Sequence, residues 1–389
     1  MSMRSRSGPG ITSTAVIWPH CGVSFRKVCK GLRGALANHT AWALVVTGLL
    51  ATGAFAATAA GAQQRNFTDD AGRTVQLPGQ VDSVYPTGHP ASILLYTLAP
   101  ETLAGWTRTL PSDMQGLMPA RYQELPVIGR LSGRGDTANL ERVLTLAPDV
   151  LFDYGAVREP YISAADRLMA QTGLPTVLLG GRFDGLPASY RKLGQLLGKP
   201  ARADRFASYA RETLALAKRI REQVLEAERP RVYYGRDADG LTTAFAGSLN
   251  AEILSLVGAR NVADDTDEPG LGAVNLEQIL AWNPEVIVTI NPAFYDSLQD
   301  PDGVWSQVQA VQQGRVYLAP ERPFGWFDRP PSVNRLIGVR WLLHLFYPER
   351  MPGSLRGEVV RFYELFYHVS PSDTQLDRLL VTAMPEERR

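Results

Sequence analysis

Between Pro200 and Glu228, apolar residues recur at Phe206, Tyr209, Leu214, Ala217, Ile220 and Val224, the three-and-four spacing of one helical stripe. Arg205, Arg211, Glu212, Lys218, Arg219, Arg221 and Glu222 fill the intervening positions and make a solvated face. Gly198 and Pro200 punctuate the start of this stretch, and Pro230 stops it. At about 1.5 Å per residue, about 28 residues give a rod on the order of 40 Å. Such a rod can join two domains as a strut or lie along the surface of one.

The pattern repeats on either side of the rod. Segment 139–152 reads NLERVLTLAPDVLF and segment 275–288 reads NLEQILAWNPEVIV, which align without a gap as N-L-E-x-[VI]-L-x-x-x-P-[DE]-V-[LI]-[FV]. Each copy is a short amphipathic helix, a proline that ends it, and an apolar run of the kind that forms a buried parallel strand. A unit duplicated around a helical connector predicts an α/β protein of two similar lobes. Each lobe has a central, mainly parallel sheet, one long α-helix joins them, and the ligand cleft lies between. The expected division is a leader over 1–62, an N-terminal lobe over 63–198, the connecting helix over 199–229, a C-terminal lobe over 230–370 and a surface tail over 371–389.

The first sixty residues differ from the rest. They carry Arg4, Arg6, Arg26, Lys27, Lys30 and Arg33 with no acid, then an apolar run from Ala41 to Leu50 and small residues up to Ala60-Gly61-Ala62. A basic segment, an apolar core and an A-x-A site describe a secretory signal peptide cleaved after Ala62. An uncleaved membrane anchor is the competing reading. No twin arginine precedes the apolar core, which makes the general secretory route the default. Both cysteines, Cys21 and Cys29, fall inside this leader, so the mature chain has no disulfide or thiolate metal site, and no cysteine follows the apolar core to take a lipid. Loss of the leader leaves 34 bases against 39 acids, a net charge of about −5, which argues against nucleic acid as a partner. A soluble exported protein in the periplasm of a bacterium with two membranes is the simplest account.

In the mature chain, strand follows helix follows strand, the grammar of a parallel sheet. Strands are expected at Val81–Tyr85, Leu103–Thr107, Pro126–Ile128, Val150–Phe152 and Thr176–Leu179 in the first lobe, and at Arg231–Arg236, Val286–Ile290 and Val316–Leu318 in the second. Ligands in such sheets sit beyond the carboxyl ends of the strands. In the first lobe those ends carry His89, Arg134, Tyr154 and Arg182; in the second they carry Arg236 and the loop with Trp326, Phe327, Asp328 and Arg329.

The paired N-L-E motifs, the V-Y-Y-G-R strand, the segment A-G-S-L-N-A-E-I-L-x-L-V-G-A-R-N-V-A and the closing P-x-S-V-N-R-L-I-G-x-R-W-L resemble the substrate-binding proteins of ABC importers for iron-siderophores, haem and cobalamin. The likeness runs from about Phe67 to Pro348. It implies two lobes bridged by one helix, limited lobe closure, a metal chelate in the cleft and docking on an inner-membrane permease. It also implies that Glu141 and Glu277, the glutamates of the two N-L-E motifs, pair with permease arginines. A local explanation stands beside that one, since a first-turn glutamate favours a helix N-terminus.

A chelate with catecholate, hydroxamate or carboxylate arms is flat, aromatic and usually anionic. Arginine suits it, with planar charge, several donors and a face that stacks on rings. The ligand-binding set expected on this ground is His89, Arg134, Tyr154, Arg236, Trp326, Phe327 and Arg329, the aromatic members supplying apolar walls. Only His89, His344 and His368 remain in the mature chain, and His89 is the one placed to cap an open coordination position on the metal of a chelate. The alternative for His89 is a hydrogen bond in a turn or a helix cap. No permanently bound cofactor is expected, and the chelated metal is iron, with nickel or cobalt as the alternatives.

Enzyme motifs are missing: the sequence has no G-x-S-x-G, no H-E-x-x-H, no G-x-x-x-x-G-K-[ST] and no G-x-G-x-x-G. The reading is a monomeric periplasmic receptor for a ferric siderophore. Its near rival is a receptor for a nickel or cobalt chelate or a corrinoid, and its distant rival is an exported α/β enzyme acting on a phenolic or glycosidic small molecule.

Overall fold

Two parallel sheets flank one long helix. The computed structural model describes residues 64–114, 116–132, 138–265 and 270–384, all within one unit spanning 59–389. The expected leader and Arg134 lie outside the described residues. A hairpin of β1 (Arg65–Thr68) and β2 (Thr74–Leu77) comes first, its turn closed by Asp69 and by Gly72 at φ 75°. Next, β3 (Val84–Pro86), β4 (Val150–Gly155) and β5 (Thr176–Gly180) form a three-stranded parallel sheet in that order. Beyond the long helix come β6 (Arg231–Gly235), β7 (Thr242–Ala244), β8 (Arg260–Asn261), β9 (Leu271–Ala273), β10 (Val286–Thr289) and β11 (Val316–Leu318). Here the parallel sheet has the order β11-β10-β6-β8, while β7 and β9 pair antiparallel.

The sequence repeat has a direct structural reading. Its strands, β4 and β10, take interior positions in their sheets and are buried along almost their whole length, which is why both read as unbroken apolar runs. The asparagine of each N-L-E motif is a helix cap: Asn139 accepts from the Glu141 amide, and Asn275 accepts from the Gln278 amide in a capping box. Both helices, Leu140–Leu146 and Leu276–Trp282, end on a left-handed residue, Ala147 at φ 45° and Asn283 at φ 43°. A proline follows each and prevents continuation.

The connecting helix is Pro200–Gln223, 24 residues and roughly 36 Å. It stops short of the expected 229, because Val224 turns extended (ψ 123°) to bury its side chain and a separate 3-10 turn follows at Glu226–Glu228. Its stripe of Phe206, Tyr209, Thr213, Leu216, Ala217 and Ile220 is buried, with Phe206 stacked on Tyr190 at 5.1 Å between ring centroids. The segments expected as strands at Leu103–Thr107 and Pro126–Ile128 make only single parallel bridges, Val84 with Leu103 and Trp106 with Val127.

The carboxyl-terminal third is less separate than expected. One continuous core runs from Phe152 and Leu179 through Phe206 and Tyr209 to Tyr234, Trp341 and Phe366, so both sheets and the connecting helix share it. The helix Arg335–Phe346 packs on the connecting helix, and the Tyr96 hydroxyl of the first lobe donates to Tyr367 O at 2.8 Å. Residues after Ser370, expected as a surface tail, instead form the docked helix Asp373–Leu380. It buries Leu376, Leu379 and Leu380, and Trp341 Nε1 donates to Ala383 O at 2.9 Å. Its period-3.6 apolar stripe accounts for the docking.

Arg335 fastens the two lobes. Its guanidinium is almost wholly buried over the Phe183 ring (4.3 Å to the centroid), donates to Gly181 O at 3.0 Å in the first lobe, and reaches Leu249 O and Glu252 in the second. Three residues on, Gly338 lets the helix lie directly on the Trp326 carbonyl, which a β-carbon would strike. Gly338→Ala should therefore destabilise the protein by at least about 1–3 kcal/mol, the usual cost of overpacking, measured as a lowered urea midpoint.

Candidate binding site

The carboxyl ends of the first-lobe strands face the segments 249–250 and 329–331 of the second lobe across a cavity of about 340 Å³. This is where open α/β sheets bind ligands, because the turns between strand ends and helices collect there. The volume is at the lower end of the usual range for small-molecule pockets, about 300–1,000 Å³.

Three guanidinium groups line this cavity: Arg108, Arg130 and Arg329. Arg108 follows the Trp106 bridge, Arg130 follows the Val127 bridge, and Arg329 enters from the opposite lobe. Arg108 Nη2 donates to Arg329 O at 3.3 Å, a contact between lobes. Arg329 is held in turn by its Nη2, which donates to Arg236 O at 3.0 Å and to Asp237 Oδ1 at 2.6 Å. Burial, then the like charges of Arg329, Arg130 and Arg322, push the Arg108 guanidinium below its ordinary value, with Glu321 opposing them. Such crowding of positive charge is relieved by an anion.

His89 opens the helix His89–Leu98 and lines the cavity. Its Nδ1 lies 3.2 Å from Ser92 Oγ and 3.3 Å from Thr107 Oγ1, while Nε2 is buried without a hydrogen-bond partner among the described residues. Burial first, then Arg108 and Arg130, hold its pKa well below the usual value, so the ring is neutral. Gly88 is needed beside it, since a β-carbon there would come within 2.8 Å of Ser132 Oγ. Asp153, at the end of β4, accepts from Ser132 Oγ at 3.3 Å and from the Tyr154 amide at 2.9 Å. Tyr154 forms part of the wall.

Of the residues expected from sequence, His89, Tyr154 and Arg329 meet at this cavity, whereas Arg236, Trp326 and Phe327 do not line it. Arg236 is a partner of Asp328, which is completely buried: Arg236 Nε and Tyr234 Oη both donate to Asp328 Oδ2 at 2.8 Å. Trp326 and Phe327 have no exposure. The indole lies edge-on to Trp341 at 6.5 Å, and Phe327 packs on Tyr234 at 4.3 Å. Their loop folds inward because Asn334 Nδ2 donates to Gly325 O and, at 3.2 Å, to Pro330 O. Arg182, also at a strand end, is over half exposed and pairs with Glu252 at 3.4 Å. Arg108 and Arg130 were missed by sequence reasoning, although both follow segments read as strands and the carboxyl-end rule applies to them equally. Among the described residues, no group of three or more His, Cys, Asp or Glu side chains is placed to hold a metal ion.

Two α/β lobes, a shared helical spine and a charged cavity between strand ends define a ligand-binding protein of the two-lobed type. Comparison with known proteins agrees. Residues 117–323 match the family model described as periplasmic binding protein. The molybdate-binding protein MolA of Haemophilus influenzae is 26% identical over 358 residues, 84% of this chain and 96% of the relative. A vitamin B12-binding protein of Pectobacterium carotovorum is 30% identical over 151 residues, covering 39% of this chain and 53% of that protein. Among solved structures, an ABC transporter solute-binding protein from Sulfurospirillum deleyianum superposes with a TM-score of 0.74 at 30% identity, covering 82% of this chain and 99% of that one. The chain belongs to the periplasmic binding protein family. It is a solute-binding protein of the ABC importer class and not an enzyme, with a small-molecule ligand and a membrane permease as its partners. No helix among the described residues is long and apolar enough to cross a membrane.

The two kinds of arginine should separate by measurement. Arg236→Ala strands the buried Asp328 carboxylate and should cost about 3–5 kcal/mol of stability in urea unfolding. Arg108→Ala removes a crowded charge and should leave stability unchanged or slightly raised while weakening anion binding in calorimetry.

Proposed function

We propose that this protein captures a compact, multiply charged oxyanion of the molybdate type and presents it to an ABC permease. The observation that carries this reading is the convergence of Arg108, Arg130 and Arg329 on a cavity of about 340 Å³. Guanidinium groups supply planar, bidentate donors matched to oxyanions, and their positive field in a small, partly dehydrated space favours a ligand of high charge density. A corrinoid or a hexadentate siderophore chelate would have to extend out of this space, so we prefer a smaller anion to the ferric siderophore expected from sequence. The molybdate-binding relative, aligned over most of both chains, supports the same choice. A second reading, a compact anionic chelate with an open position on its metal, is favoured by the partnerless Nε2 of His89.

Permease docking is proposed for the N-L-E glutamates. Glu141 and Glu277 are both exposed, at the same position of the first turn of matching helices in the two lobes, and Leu144 beside Glu141 is about half exposed, at 49%. Helix capping alone leaves these carboxylates to solvent, since the caps are made by Asn139 and Asn275.

Titration calorimetry and thermal shift with molybdate, tungstate, sulfate, phosphate, a ferric catecholate and cyanocobalamin test the ligand class. At about 100-fold excess over Kd, a bound oxyanion should raise stability by about 2.7 kcal/mol, and Arg108→Ala or Arg130→Ala should reduce that gain. Saturable binding of cyanocobalamin or the ferric catecholate with none of the oxyanions would reject the proposal. Combined Glu141→Ala and Glu277→Ala should abolish uptake in cells and leave ligand affinity in solution unchanged; a lost affinity would place the glutamates in the binding site instead.

A further inference from the structure

Asp153 is out of place in a cavity built for anions. It lies at the carboxyl end of β4, is 9% exposed and lines the same space as the three arginines. Ser132 Oγ and the Tyr154 amide donate to its Oδ1, the Thr87 hydroxyl also bonds to the carboxyl group, and none of these donors carries charge. Beside it, Gly88 keeps the wall thin: a β-carbon there would stand 3.7 Å from Asp153 Oδ1. An oxyanion held by Arg108, Arg130 and Arg329 would share this small cavity with the carboxyl group. Two anionic groups in contact away from water repel strongly, and one proton between them removes the repulsion.

We propose that anion capture by this cavity takes up one proton from solvent, held between Asp153 Oδ2 and an oxygen of the ligand. This rests on the oxyanion reading above. Asp153 then acts as a specificity-determining residue: it favours an oxyanion able to accept a hydrogen bond from a carboxylic acid over one that cannot. No bond other than this hydrogen bond is made, and the proton returns to solvent when the ligand leaves.

The surroundings fit this role. Burial pushes the Asp153 carboxyl above its ordinary value, against hydrogen bonds from Thr87, the Tyr154 amide and Ser132 that pull it down, so the acid form lies nearer to neutral pH than for an exposed aspartate. The charged and titratable groups facing the cavity are His89 from the following helix, Arg108 and Arg130 from the segments beside β3, Tyr154 and Tyr161 from β4 and the helix after it, and Arg329 from the opposite lobe. Strand β5 contributes only Leu178. Burial keeps the Tyr154 phenol protonated. His89 is held neutral by burial and by Arg108 and Arg130, but it is the other group whose protonation from solvent a bound anion would favour. The sign follows directly: the acid form binds, so affinity is greatest below the Asp153 pKa of the free protein and falls as pH rises through it, by up to about tenfold per unit.

The test is calorimetry of the wild-type protein with molybdate and tungstate between about pH 7 and about pH 8.5, where both ions are fully deprotonated, in buffers of differing ionisation enthalpy. About one proton should be taken up per bound anion. Asp153→Asn, which donates a hydrogen bond without a proton, should take up none and bind more tightly than wild type at the upper pH. His89→Gln should keep the uptake. Saturable wild-type binding without proton uptake overturns the proposal while leaving the oxyanion reading intact, and this arm needs no variant to fold. Uptake retained in Asp153→Asn, or lost in His89→Gln, also overturns it. Absence of binding for both ions at every pH removes the oxyanion reading and this inference with it.

Discussion

Asp328 is a carboxylate with no access to water, and the cavity-facing end of the second lobe is arranged around its neutralisation. Its Oδ2 takes Tyr234 and Arg236, and its Oδ1 takes Asn250 Nδ2 at 2.7 Å and the Arg329 amide at 2.7 Å. A buried charge is tolerated only when its lone pairs are filled in this way. Those bonds bring together β6, the segment before the helix Glu252–Leu256 and the loop 323–332. With the loop pinned, Trp326 and Phe327 turn into the core, and Arg329, at φ 56°, turns towards the cavity. A non-glycine residue in the left-handed region persists only where its neighbours over-determine it, and the Asp328 and Asp237 contacts do so here.

The arginines divide by what neutralises them. Arg236 and Arg335 are buried against carboxylates and backbone carbonyls and belong to the scaffold. Arg108 is buried among other guanidiniums, with Glu321 as the acid that opposes them. Burial raises Glu321, and Arg322, Arg329 and Arg108 pull it back down, so it shares its charge among several bases and fully neutralises none. Asp237 pairs with Arg329 and Asp113 with Arg322, while Arg108 lines the cavity among these guanidiniums, so an anionic ligand there would meet a positive wall. The same logic makes Asp153 conspicuous, since it adds negative charge on the side where the ligand must sit.

Much of the architecture was legible before any coordinates. The N-L-E repeats encode local events, an asparagine cap, a short helix, a left-handed stop and a proline, followed by a strand buried on both faces, and local events leave marks in sequence. The connecting helix was visible for the same reason, apart from its last turn, where burial of Val224 outweighs helical propensity. The closing tail was misread because a stripe of three leucines says that a helix must dock, but not on what. At the site, strand-end position drew attention to His89, Tyr154 and Arg329, which line one cavity. It also drew in Arg236, whose partner is 92 residues away, and passed over Arg108 and Arg130, whose strands are reduced to single bridges.

The sequence by itself determined the duplicated lobes, the helical bridge and the family, because caps, breakers and apolar runs act over a few residues and are written where they act. Which arginines are spent on buried carboxylates and which remain for a ligand was decided only by the tertiary structure. Charge is non-directional and long-ranged in a dry interior, so the role of a guanidinium depends on which acid the fold brings beside it.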